Sequence, residues 1–188
     1  LQDRRHTQPT PIEERDKTMN LEEAIKTAID YENKVFQTYQ DAQEKAKDPV
    51  GQRVFKVLAD EEQGHIDYLK SRLTEWEKTG AITVENLETA IPKTDAIEKA
   101  ASKLNERAGE KSLTQDEIDL LQRALDMEVE TSGFYQRMVS ELDNEGQALF
   151  KRFVEIEEGH VAIVQAEIDS VKGLGFWFDM QEFQLEAE

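Results

Sequence analysis

The chain has 188 residues, enough for one domain with a sizeable core. Its 41 acidic and 23 basic side chains give a formal charge of −18, which excludes a nucleic-acid surface and disfavours docking on anionic membranes. Cysteine is absent, which removes disulfides, cysteine–zinc sites, iron–sulfur clusters and thiol nucleophiles, and no apolar run approaches the roughly 20 residues that cross a bilayer.

Residues 1–19 hold Pro9 and Pro11 without apolar periodicity, so an N-terminal tail is expected there. The sequence opens on Leu1 rather than Met and shows no signal-peptide core, which leads to the expectation of an earlier start and a cytoplasmic location. Asn20-Leu21-Glu22-Glu23 reads as a capping box that opens a helix. Leu21, Ile25, Ala28, Val35 and Tyr39 then share one helical face, with position 32 completing the stripe, until the turn signal Lys47-Asp48-Pro49. A second run holds Val54, Leu58, Leu69, Leu73 and Trp76 and stops near Gly80. Residues 81–113 form a long crossover with a short helix expected around Asp95–Arg107. Thr114-Gln115-Asp116-Glu117 reads as another capping box. A third run follows (Ile118, Leu121, Leu125, Ser132, Tyr135, Val139, Leu142), then a turn at 143–146. The fourth run, Leu149, Phe153, Val164, Ile168 and Val171, stops at Gly173. An aromatic extension over 173–188 is expected to pack back on its own chain, with a neighbouring subunit as the alternative. The plan is all-α: a four-helix bundle over 20–172 made of two helical hairpins joined by the crossover.

The two hairpins repeat. Asp30, Glu32 and Tyr39 align with Asp126, Glu128 and Tyr135 at an offset of 96 residues. Glu62, Gly64 and His65 align with Glu157, Gly159 and His160 at an offset of 95, so the loop between differs by one residue. Each half therefore reads Glu-x6-Tyr and then Glu-x2-His. Two such units are too few for a solenoid and imply a pseudo-twofold bundle.

All these glutamates and histidines fall on the apolar stripes, and no Lys or Arg does. A buried unpaired carboxylate is costly, and four facing one another repel strongly. Two divalent cations would balance the four charges. Residues three apart share a helix face, so Glu-x2-His lets a carboxylate and a neutral imidazole both reach metal. One Glu from each of two helices plus Glu-x2-His from the other two is the donor set of di-iron and di-manganese bundles. The expected metal ligands are Glu32, Glu62, His65, Glu128, Glu157 and His160. Oxygen and nitrogen donors without sulfur suit two iron ions or manganese; zinc would be accepted but prefers four ligands. Tyr39 and Tyr135 lie on the same faces as the glutamates and are the candidate catalytic residues, as hydrogen-bond partners of ligand carboxylates; core filling is the alternative. His6, Glu61, Glu130 and Glu158 stay outside the ligand set, with Glu130 an extra ligand only if its helix bulges.

On Glu32…Tyr39, Glu62-Gln-Gly-His65, Glu128…Tyr135 and Glu157-Glu-Gly-His160 the chain resembles the ferritin-like superfamily and, within it, the rubrerythrin-type di-iron carboxylate proteins. The resemblance covers about residues 20–172. It implies a left-handed bundle in which Glu62 and Glu157 bridge two irons while Glu32, Glu128, His65 and His160 terminate them. It also implies reaction of the reduced centre with hydrogen peroxide or dioxygen as defence against oxidative stress, and a homodimer. Two departures stand out. Without cysteine there is no rubredoxin module, so a separate electron donor is required. The position of the family's extra third-helix glutamate is Thr131, beside Glu130. A ferroxidase or iron-storage protein of bacterioferritin type, a manganese catalase-like protein and a non-enzymatic metal-binding interaction module are the alternatives. Gln63, after Glu62, is not the Met that a haem variant needs.

Overall fold

The computed structural model describes residues 19–85, 87–105, 115–174 and 177–178. The expected tail up to residue 18, His6, the Thr114 cap and most of the aromatic extension lie outside them. The described residues form five helices: α1 (Leu21–Lys45), α2 (Pro49–Thr79), α3 (Thr94–Asn105), α4 (Gln115–Glu141) and α5 (Asn144–Leu174). No strand occurs among them. The fold is an all-α, ferritin-like helical bundle.

Local signals set the helix ends. Asn20 accepts the Glu23 amide hydrogen at 2.9 Å and Glu23 accepts that of Asn20 at 3.2 Å, a reciprocal cap. Asp48 caps α2 with Pro49 in its first turn. Gly80 closes α2 in the left-handed region at φ 72°, where a Cβ is disfavoured. Three residues separate α1 from α2 and two separate α4 from α5, which accounts for the one-residue change in the repeat offset.

Loops this short make each hairpin antiparallel. Between hairpins, Glu32 meets Tyr135 while Tyr39 meets Glu128, so α1 and α4 also run antiparallel. The crossover passes between α2 and α5. Arg72 of α2 donates to the Thr83 carbonyl at 2.5 Å and Tyr68 to that of Glu85 at 3.0 Å. Arg152 of α5 donates twice to the Leu87 carbonyl, at 2.6 and 2.9 Å. α3 then packs on α5.

Two apolar clusters fill the bundle. One holds Val35, Phe55, Leu58, Leu121, Ala124, Val164 and Ile168; the other holds Ile25, Ala28, Leu69, Phe134, Met138, Phe150 and Phe153. On each of the four long helices the candidate ligands fall between residues of the two clusters, as Glu32 does between Ala28 and Val35. A polar layer thus crosses an otherwise apolar core at mid-height.

On α4 the buried arc differs from the expected stripe. Ile118, Leu125 and Val139 are only partly buried, while Leu120, Ala124, Thr131, Phe134 and Met138 turn inward beside Glu128 and Tyr135. α4 packs on both α5 and α1, so its interior face spans two neighbours and is wider than one seam. At the C-terminal side Trp177 and Phe178 are buried in the first cluster, with Trp177 edge-on to Phe55 at 5.2 Å between ring centres.

Candidate metal centre

The structure brings Glu32, Glu62, His65, Glu128, Glu157 and His160 together, none of them more than 1% exposed. α1 and α4 contribute one glutamate each from mid-helix. α2 and α5 contribute Glu-x2-His, whose two side chains lie one turn apart on the same face.

Both imidazoles aim Nδ1 into the carboxylates. His65 Nδ1 lies 3.2 Å from Glu32 Oε2, 3.1 Å from Glu62 Oε2 and 3.7 Å from Glu157 Oε1. His160 Nδ1 lies 2.8 Å from Glu62 Oε1, 3.6 Å from Glu128 Oε1 and 4.0 Å from Glu157 Oε2. Glu62 and Glu157 are therefore the two carboxylates within reach of both imidazoles, whereas Glu32 sits on the His65 side and Glu128 on the His160 side. The imidazoles stack with centres 5.3 Å apart and planes 16° from parallel.

Several of these atoms have no hydrogen-bond partner: Glu62 Oε1, Glu128 Oε2, both oxygens of Glu157, and Nδ1 of His160. His160 Nδ1 and Glu62 Oε1 are close enough to bond but wrongly aimed for it. Buried acceptors without donors are rare because each forfeits its hydration. Acceptors that converge on common points are what a cation needs. Donor atoms of Glu32, Glu62, His65 and Glu157 lie within 4.8 Å of one another, as do those of Glu62, Glu128 and His160, so the two sets share Glu62. The residues fit a pair of bound metal ions.

Without metal, protons carry the charge balance. Burial, with the repulsion of Glu62, lifts the Glu32 carboxyl from its ordinary 4.5 to about 8. Burial and the charges of Glu128 and Glu32 push Glu157 well above the carboxylate range. Burial opposes the charge on Glu62 too, but His65 and His160 outweigh it and hold Glu62 well below that range. Burial likewise opposes an imidazolium at His65, yet Glu62 and Glu32 raise it from 6.5 to about 10. His160 is raised in the same way, chiefly by Glu62 against its burial.

The tyrosines cross between halves. Tyr39 donates its hydroxyl to Glu128 and Tyr135 donates to Glu32. Both phenols are fully buried, and burial together with the adjacent carboxylate keeps their protons on well above the ordinary range. Of the residues left outside the ligand set, Glu130 and Glu158 are exposed. Glu61, whose repeat partner is Ile156, has one oxygen within 4.8 Å of a ring nitrogen of each histidine. Thr131 is fully buried, one turn beyond Glu128.

Residues 2–73 match the family described as Rubrerythrin. The matched stretch includes Glu32, Glu62 and His65 and ends before the second hairpin. No curated protein and no solved structure matches the chain. Over residues 2–73 the chain is similar to rubrerythrins, and that likeness together with the helical bundle supports a rubrerythrin-type, ferritin-like protein whose buried Glu and His clusters could hold metal.

Proposed function

We propose that the protein is a di-iron oxidoreductase whose reduced centre reacts with hydrogen peroxide or dioxygen. The observation that carries this reading is the buried layer of six donors in which Glu62, Glu128 and Glu157 keep oxygens without partners. Glu32, Glu62, His65, Glu128, Glu157 and His160 would hold two ferrous ions, and the pair would supply the two electrons that, with two protons, convert one peroxide to two waters.

The chain's own groups do the rest. Glu62 and Glu157 reach toward both imidazoles and would hold the pair together. Tyr135 and Tyr39 keep their protons and steer the Glu32 and Glu128 carboxylates, each across the pseudo-twofold axis. The apolar clusters above and below exclude bulk water and sharpen every charge inside. These 188 residues hold no cysteine for an iron–sulfur module, so the electrons for the next cycle enter from outside them. A cytoplasmic homodimer belongs to the same reading.

The test loads the metal-free protein with ferrous iron under anaerobic conditions, counts iron per chain and mixes it with peroxide in a stopped-flow cell. Two irons per chain and rapid oxidation support the proposal. Slow or absent oxidation overturns it, and a large iron-filled shell by light scattering points to storage instead. Elemental analysis of protein purified without added metal separates iron from manganese.

A further inference from the structure

The imidazoles leave one atom each unaccounted for. Nδ1 of both rings faces the carboxylates, but Nε2 of His65 and Nε2 of His160 are buried and make no hydrogen bond. An imidazole that binds metal through Nδ1 carries its proton on Nε2, and that proton needs an acceptor. Glu61 is the carboxylate at hand. It adjoins Glu62 on α2, and its oxygen and one nitrogen of each ring lie within 4.8 Å of one another, a separate grouping from the two that hold Glu62. Glu61 is itself fixed from outside, accepting the Thr89 hydroxyl at 2.5 Å and the Ala90 amide hydrogen at 3.1 Å. The second half has no equivalent, since Ile156 occupies the matching position. The rings are stacked, so one carboxylate placed beside the stack can face both Nε2 edges.

We propose that Glu61 is a shared positioning residue: its carboxylate accepts the Nε2 hydrogens of His65 and His160, directly or across one water, and so aims both Nδ1 atoms at the metal pair. This rests on the metal-centre reading above.

The experiment titrates ferrous iron into the wild type, Glu61→Gln and Thr89→Val under anaerobic conditions against a competing chelator. The Nε2–H resonances of the zinc-loaded proteins are recorded alongside by proton–nitrogen NMR. Gln keeps the size and the crossover contact but loses the charge. Glu61→Gln is expected to bind iron about 10- to 100-fold more weakly and to shift both Nε2–H signals, while Thr89→Val keeps wild-type affinity. Equal affinity and unmoved signals in Glu61→Gln overturn the role of Glu61 and leave the metal centre standing. Equal weakening in Thr89→Val shows a strut for the crossover and also overturns it. A wild type that binds no metal overturns both readings.

Discussion

Each tyrosine in the polar layer serves the opposite half of the repeat. Tyr39 donates to Glu128 and Tyr135 to Glu32, so the two hairpins are tied by a pair of buried hydrogen bonds related by the pseudo-twofold axis. Removing either hydroxyl leaves a buried carboxyl oxygen without its donor. Tyr39→Phe and Tyr135→Phe are each expected to lower the stability of the metal-free protein by about 1–3 kcal/mol in denaturant melts. Because the acceptors share one network, the double variant departs from the sum of the two. Metal stoichiometry stays at the wild-type value in both, since no donor atom is removed.

Among the helices, close packing is asymmetric. Gly51 in the first turn of α2 lies beneath the Trp177 indole, and a Cβ there would come within 2.6 Å of the ring. Gly133 on α4 is exposed, with nothing within 4 Å of the same position. Gly51→Ala gains helix propensity but overpacks the indole, at a cost of about 1–3 kcal/mol, and is expected to lower the melting temperature. Gly133→Ala gains about 0.5–1 kcal/mol without a clash and is expected to raise it. Calorimetry on the two variants checks both signs. At the same end of the bundle, the buried Glu117 accepts the amide hydrogens of Lys47 and Asp48 at 3.2 and 2.9 Å, which fastens the start of α4 to the α1–α2 turn.

The molecule as a whole carries a layer of buried ionisable groups at its centre. Its folded, metal-free form holds protons that the unfolded chain releases. For Glu32 this applies between 4.5 and about 8, and for His65 between 6.5 and about 10. Over those windows the unfolded state binds fewer protons, so stability falls as pH rises. Both groups act together from pH 6.5 to 8. Glu62 acts in the opposite sense, but only below its ordinary 4.5. The melting temperature of the chelator-treated protein is therefore expected to fall from pH 6.5 to 8. The metal-loaded protein is expected to hold or rise over the same range, because metal replaces those protons and binds more tightly as they leave. Scanning calorimetry with and without metal distinguishes the two. A metal-free protein whose melting temperature rises over that interval contradicts this account of the polar layer.

Much of this was legible in the amino-acid order alone. Glu-x6-Tyr and Glu-x2-His are local patterns, and the helical period puts their members on the stripes that must face inward. The Asn20 cap, the short hairpin turns and the one-residue difference between them are local for the same reason. What local order cannot carry is the pairing of side chains far apart in sequence. Only the antiparallel set of α1 against α4 gives Tyr39 to Glu128 rather than to Glu32. Only the path of the crossover brings Thr89 and Ala90 onto Glu61 beside the histidines. Glu61 stood outside the expected ligand set and Glu117 read as part of a local cap, because a carboxylate's role depends on which distant donors reach it, and those are set by tertiary packing.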